Sequence, residues 1–222
     1  MIKDGDRILL GLSGGKDSLT LLNILRHLQA CAPVKFEIGV ITVDPMTKDF
    51  DPSPLKPYVT NMGLPYFFES QPIMDMGKEY MTNPSYCSWC SRMKRGVMYS
   101  TARREGYNVL VLAQHLDDLA ESFLMSAFHN GQLRTMKANY TVSEGDLRVI
   151  RPLVYVREYL TREYAEMAGL PVIMENCPAC FDVPTQRQHM KTLLANEESQ
   201  YPNIYKNLLH AMRPLMDIKD SS

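Results

Sequence analysis

Three short groups of residues in this 222-residue chain have types and spacings that suit chemistry. The first is Ser13-Gly14-Gly15-Lys16-Asp17-Ser18, between the apolar run Arg7 to Leu12 and a stretch with Leu21, Leu22, Ile24, Leu25 and Leu28 at helical spacing. Paired glycines let a backbone turn tightly and bring its N–H groups close to an anion. The start of a helix adds partial positive charge, Lys16 adds a full one, and Ser13 and Ser18 add hydroxyl donors. A bare Gly-Gly turn needs neither the lysine nor the serines, so the group reads as a phosphate cradle. It is not a Walker A loop, because Leu10 stands at the first glycine position and Asp17 follows the lysine, nor is it G-x-G-x-x-G.

The second group is two C-x-x-C pairs, Cys87-Ser88-Trp89-Cys90 and Cys177-Pro178-Ala179-Cys180. Each can present two thiolates to one metal centre. A local zinc ribbon would space its pairs by roughly 15–20 residues, and these pairs stand much further apart. Two readings stay open on the residues alone: a four-cysteine structural zinc site or an iron–sulfur cluster. Cys31 is a lone cysteine and is expected to be a buried or partly buried small residue.

The third group is charged. Asp117 and Asp118 follow the apolar Val109 to Ala113, and adjacent carboxylates there suit Mg²⁺ held together with substrate phosphates; helix capping is the plainer alternative. His115 can face a nucleotide or simply pack. Asp44 ends the run Phe36 to Val43, where it can approach a nucleotide or open the loop before Pro45. Arg92, Lys94, Arg95, Arg103 and Arg104 share a helical stretch with no acid between 92 and 104. That is a solvated face or an electrostatic guide for RNA phosphates, extended by Arg134, Lys137, Arg148 and Arg151. Trp89 and Tyr140 are either packed or available to stack on an unpaired base.

These groups need a scaffold, and the hydrophobic pattern supplies one. Strands are expected at about 7–12, 36–43, 65–69, 109–113 and 172–174, and helices at 18–29, 55–62, 91–105, 117–129 and 157–168. Residues 70–86 read as irregular and 130–148 as a surface excursion. A helical stretch over about 184–213 is split by Pro202. Alternating strands and helices imply an α/β domain, a parallel sheet with helices on both faces. Ligands of such sheets bind outside the carboxyl ends of the strands, where residues 13–18, Asp44, 114–118 and 177–180 fall. Residues 1–180 are expected to form the nucleotide- and metal-binding domain and 181–222 its C-terminal helical extension.

Composition narrows the class. Twenty-four Lys+Arg against twenty-five Asp+Glu excludes a histone-like binder. No apolar run reaches the roughly 18 residues of a membrane helix, and the charged start, Lys3 to Arg7, is not a signal peptide. Five cysteines are an odd and small number for a disulfide scaffold, so a reducing cytoplasm is the expected compartment.

SGGKDS resembles the signature of the PP-loop ATP pyrophosphatases, which adenylate a carbonyl-type oxygen and release pyrophosphate. Cys87 to Gly96 (CSWCSRMKRG) is similar to the cluster motif of the tRNA 2-thiocytidine synthetase (TtcA) family. Ile150-Arg151-Pro152-Leu153, Arg157-Glu158, Cys177-x-x-Cys180, Gln186-Arg187-Gln188 and Tyr201-Pro202 follow in that family's order. The resemblance implies a PP-loop fold, ATP with Mg²⁺, and a [4Fe-4S] cluster on three cysteines. It gives Cys87 and Cys90 as two ligands. The Cys-Pro of the related TtuA-type thiolases makes Cys177 the third, with Cys180 the alternative. It also implies ATP contacts by residues 13–18 and Asp44 and a chemical role for Lys94, Asp117 and Asp118; His115 is the further candidate to face the nucleotide, and Arg92, Arg95, Arg103 and Arg104 of the basic helix are the candidate RNA contacts. Where those thiolases carry G-H-x-x-D-D, this chain has Ala113-Gln114 before His115. The implied partners are tRNA and a sulfur donor, a cysteine desulfurase or sulfide; a homodimer is compatible. The rival readings are a uridine-specific thiolase, a PP-loop enzyme acting on a small molecule, and a non-catalytic zinc-stabilised module.

Overall fold

A computed structural model describes residues 1–47, 50–80, 86–173 and 185–216 of the chain. Its centre is a six-stranded sheet built from β1 (Asp6–Gly11), β2 (Phe36–Asp44), β3 (Tyr66–Ser70), β4 (Val109–Val111), β5 (Asn139–Thr141) and β6 (Arg148–Ile150), in the order β3-β2-β1-β4-β6-β5. All neighbours run parallel except β5, which is antiparallel to β6. The helices are α1 (Lys16–Cys31), α2 (Leu55–Asn61), α3 (Ile73–Tyr80), α4 (Tyr86–Arg104), α5 (Leu116–Asn130), α6 (Glu158–Met167), α7 (Gln186–Gln200) and α8 (Ile204–Met212). No helix among the described residues is long and apolar enough to cross a membrane.

The sheet is buried on both faces because its central strands are apolar along their middle stretches, Ile8 to Leu10 in β1, Ile38 to Ile41 in β2 and Val109 to Val111 in β4. Ile8, Leu10, Val109 and Val111 pack with Leu21, Leu22 and Leu25 of α1 on one face. Leu9, Leu110 and Leu112 pack with Ala102, Met93 and Met98 of α4 on the other. A third core joins Leu119 and Ala120 of α5 to Leu194 of α7 and to Tyr205 and Met212 of α8. The strand order reverses between β1 and β4: the chain winds outward through β2 and β3, then returns to start β4 on the other side of β1. The loops after β1 and β4 therefore diverge and leave a crevice.

Most expected elements stand within a residue or two of their predicted ends. Four differences have physical causes. The excursion at 130–148 contains β5, and β6 begins at its end; three-residue strands have too little alternation to be legible as periodicity. The irregular stretch 70–86 contains α3, and α4 starts at Tyr86, five residues before the predicted start at Ser91. No strand forms at Val172 and Ile173: the Ile173 amide donates to the Gly14 carbonyl (3.0 Å), so this segment packs on the loop after β1 and does not join the sheet. Cys31, expected to be buried, is exposed at the end of α1.

Candidate active site at the sheet switch point

The loop after β1 is fixed from below. Leu12 N–H donates to the Ile41 carbonyl (2.8 Å) and buried Thr42 donates to the Leu12 carbonyl (2.9 Å). Gly14 then turns at φ +90°, a conformation that disfavours any side chain, and a Cβ there would lie 2.2 Å from Ile173. Gly15 is the N-cap of α1 and no side chain caps the helix, so its first turn presents backbone donors outward. The Gly15 amide donates to Ser13 Oγ (3.2 Å), and Ser18 Oγ donates to the Gly15 carbonyl (2.9 Å). The hydroxyls thus set the loop's shape, and the helix end with Lys16 offers the positive charge.

Lys16 does not stand alone. Its ammonium lies 3.0 Å from both Asp17 and Glu158. Burial works against the Lys16 charge, but Asp17 and Glu158 outweigh it and hold its pKa above the usual lysine value. Burial likewise opposes ionisation of Glu158, yet Lys191 (2.7 Å) and Lys16 pull its pKa down to about 2. Asp17 also accepts from the Thr161 hydroxyl. Helices α1, α6 and α7 therefore meet at the phosphate loop through one chain of charges.

The carboxylates after β4 belong to a second such chain. His115 is the N-cap of α5: its Nδ1 accepts from the Asp118 amide (3.3 Å) while Asp118 Oδ2 accepts from the His115 amide (3.0 Å). With Nδ1 accepting, the neutral ring carries its proton on Nε2, which lies 3.8 Å from Asp17. Asp117 is buried and accepts from the Glu158 amide (2.8 Å) and Arg157 Nε (3.2 Å). Arg157 goes on to Glu198 (2.6 Å) and stacks over the Tyr205 ring at 3.4 Å. Asp118 Oδ1 accepts from Arg187 (2.7 Å), which also binds buried Glu121 (2.7 Å). Asp117 and Asp118, expected at the Mg²⁺ site, use their oxygens in this geometry to fasten α6, α7 and α8 to α5. Glu158, Arg157, Arg187, Lys191, Glu198 and Glu121 have no role legible from residue type alone. The family-like pairs Arg157-Glu158 and Gln186-Arg187-Gln188 were the available signal.

Asp44 ends β2 and its Oδ1 accepts from the Met46 amide (2.7 Å), closing a turn that holds Met46 at φ 58°. The loop-opening role is thus present; among the described residues Oδ2 has no partner and faces no competing cation.

Helix α4 forms the opposite wall. Cys87 and Cys90 stand one turn apart in its first two turns, where the helix end favours anionic ligands. Cys90 is half-buried against the α4-side core, beside Trp89, whose indole N–H donates to the Ile73 carbonyl (3.3 Å). The side chain of Cys87, and all of Cys177 and Cys180, lie outside the described residues. Lys94 sits with its ammonium 6.0 Å from the Phe50 ring centre, toward the loop after β2. Arg92 is exposed and Arg95 half-buried on the same half of the helix.

Arg103 and Arg104 are not brought to that patch. They end α4 about 20 Å from Cys90 along the helix. Arg103 forms a two-point pair with Asp146 (2.6 and 3.0 Å), and Arg104 pairs with Glu69 (2.6 Å) and Glu105 (2.7 Å). Arg148 pairs with Asp6 at the amino end of the sheet, and Arg151 is buried. The run of basic residues spans both ends of one helix, which a linear count cannot separate. Trp89 and Tyr140 are both packed, the latter with its hydroxyl 3.2 Å from that of Tyr99.

The Glu158 cluster has a pH signature. Its pKa is lower folded (about 2) than unfolded (about 4.5), so its contribution is present above pH 4.5 and is lost as pH falls toward 2. The shift is worth roughly 3 kcal/mol at most. Urea unfolding should show Glu158→Gln less stable than wild type by about 2 kcal/mol at pH 7, with the gap closing between pH 4.5 and pH 2. A gap independent of pH would show that the carboxylate charge is not what holds the cluster.

A glycine loop on an uncapped helix at a sheet switch point, faced by a cysteine-bearing helix, defines a nucleotide-handling domain of the PP-loop class. A family model for the PP-loop domain matches residues 2–180. The tRNA-cytidine(32) 2-sulfurtransferase of Geobacter sulfurreducens is 39% identical, covering 99% of this chain and 88% of its own. That of Vibrio vulnificus is 34% identical, covering 96% of this chain and 69% of its own. The chain belongs to this PP-loop family, that of the tRNA-cytidine(32) 2-sulfurtransferases. Among solved structures, the U34-tRNA thiolase NcsA of Methanococcus maripaludis, described with its [4Fe-4S] cluster, shares the fold at a TM-score of 0.79 and 19% identity. It covers 98% of this chain and 74% of its own.

Proposed function

We propose that this protein is an ATP-dependent tRNA sulfurtransferase that converts cytidine 32 to 2-thiocytidine through an adenylated base. The observation that carries the reading is the 39% identity over 99% of the chain to a relative of that name. The placement of a phosphate loop and a C-x-x-C helix on the two walls of one crevice supports it. Residues 1–180 act as the ATP- and cluster-binding part and the C-terminal helices as an extension of the same domain.

In this reading the first-turn amides of α1 and Lys16 receive the β- and γ-phosphates of ATP, and Glu158 and Asp17 hold the Lys16 ammonium in place until they do. Mg²⁺ would enter with the triphosphate, with the open oxygen of Asp44 as the protein ligand suited to it. The cytosine O2 attacks the α-phosphorus; the O2–P bond forms as the bond to the bridging oxygen breaks, and pyrophosphate leaves with that electron pair. Lys94 steadies the charge that develops on the phosphate oxygens. Sulfur then bonds to C2 and AMP departs with the former O2, a far better leaving group than an unactivated oxygen. Two thiols one turn apart at a helix start fit an iron–sulfur centre, and a [4Fe-4S] cluster held by Cys87, Cys90 and Cys177 supplies nucleophilic sulfide when bound. The sulfur comes from free sulfide, or from a cysteine desulfurase together with a two-electron reductant that takes its persulfide sulfur to sulfide. Arg92 and Arg95 contact RNA phosphates; Asp117 and Asp118 act by positioning the helices.

Nucleoside analysis tests the reading. tRNA from cells lacking this protein should lose 2-thiocytidine and keep 2-thiouridine. The reverse pattern would assign uridine as the substrate, and unchanged levels of both would favour a small molecule.

A further inference from the structure

Gln114 stands at the mouth of the switch-point crevice with one end of its carboxamide committed. Side chains along β4 and beyond alternate: Val109, Val111 and Ala113 pack on the α1 side, Leu110 and Leu112 on the α4 side. The next residue, Gln114, turns to the α4 side, where its Oε1 accepts from Arg151 Nε (2.8 Å). Arg151 is only 4% exposed. Its other partners are neutral: the Lys137 carbonyl and Tyr140, which is hydrogen-bonded to the guanidinium and has its ring 5.7 Å away. Among the described residues no carboxylate pairs with it. A buried guanidinium has donors only and holds firmly to its few acceptors. The oxygen of Gln114 therefore stays turned inward and the amide cannot flip. Gln114 is half-exposed just past the end of β4, and among the described residues nothing accepts from its NH₂ group. The result is a carboxamide with its oxygen fixed and its NH₂ left free to donate, on the face of the sheet covered by the cysteine helix.

We infer that Gln114, locked by Arg151, reads the Watson–Crick edge of the target base and selects cytosine over uracil. The inference rests on the sulfurtransferase reading above and names its specificity element. Cytosine offers two adjacent acceptors, O2 and N3. Uracil offers O2 but puts a hydrogen on N3, which would oppose the amide N–H. An amide free to flip could accept that hydrogen; one held by Arg151 cannot. Selection thus comes from a donor facing a donor in uracil, as well as from the hydrogen bond that cytosine N3 accepts. Arg151 is a positioning residue in this arrangement and Gln114 the one that touches the base.

Gln114→Glu is the sharpest test. The carboxylate keeps an acceptor for Arg151, so the fold is retained, but it replaces the donors facing the crevice with an oxygen. Binding of anticodon stem-loop RNAs carrying C or U at position 32 is measured with ATP present, alongside thiolation of both. Wild type should prefer C by about tenfold or more, and Gln114→Glu should lose or invert that preference with ATP affinity unchanged. Gln114→Met, which offers neither donor nor acceptor, should bind both RNAs alike and serves if the first variant does not fold. A C-over-U preference unchanged in either folded variant would overturn the inference, as would its absence in wild type. So would a fall in ATP affinity at constant base preference, which would place Gln114 on the nucleotide. A preference that depends on Gln114 in a protein that does not thiolate would uphold the inference and refute the reaction.

Discussion

Lys16→Ala should suppress tRNA- and ATP-dependent pyrophosphate release by about 100-fold or more while leaving the thermal midpoint within a few degrees of wild type. Lys16 is the full positive charge at the uncapped start of α1, and a leaving pyrophosphate gains charge where that ammonium stands. Removing it does not orphan its partners: Glu158 keeps Lys191 at 2.7 Å, and Asp17 keeps the Thr161 hydroxyl. The loss should therefore appear in turnover and not in folding. Ser13→Ala removes only the acceptor for the Gly15 amide and should cost less, about tenfold. Normal pyrophosphate release by Lys16→Ala would show that the loop after β1 does not hold the departing phosphates.

Cys90→Ser and Cys87→Ser should abolish thiolation and the iron–sulfide absorption of anaerobically purified protein, yet leave pyrophosphate release within a few-fold of wild type. Pyrophosphate release rests on the helix start after β1 and on Lys94, neither of which touches the cysteine thiols in this reading, so the two functions should separate by mutation. Cys31→Ser is the matched control: Cys31 is exposed at the far end of α1, and the variant should retain full absorption. Stoichiometric zinc without sulfide in strictly anaerobic protein would reject the cluster and restore the structural zinc reading that the two C-x-x-C pairs also allow.

The chemistry was more legible than the architecture that serves it. The phosphate loop could be read because a turn of this kind needs particular residues in contiguous order, and Gly14 shows the need: its positive φ, and the Ile173 side chain packed where a Cβ would lie, leave no space for a side chain. The parallel sheet could be read because strands covered on both faces must be apolar at every position, as Phe36 to Val43 nearly are. Strands β5 and β6 could not, since three residues carry no usable period.

What the sequence determined by itself was a local inventory: which loop can cradle phosphate, which pairs of cysteines can share a centre, and which stretches must be buried. Those properties depend on residue type and on spacing within a turn or two. Tertiary structure decided which charges were spent on one another. Asp117 reads from sequence as a metal ligand or a helix cap, and only the fold brings it Arg157 and the Glu158 amide, 40 and 41 residues away in sequence. Arg103 and Arg104 looked continuous with Arg92 and Arg95 until helix length carried them to Asp146 and Glu69. Gln114 reads from sequence only as a departure from the thiolase pattern, and the fold is what brings Arg151 to its oxygen. A side chain's charge is a property of its residue, but whether that charge remains available is set by what folding places within hydrogen-bond reach of it, and only long-range contacts decide that.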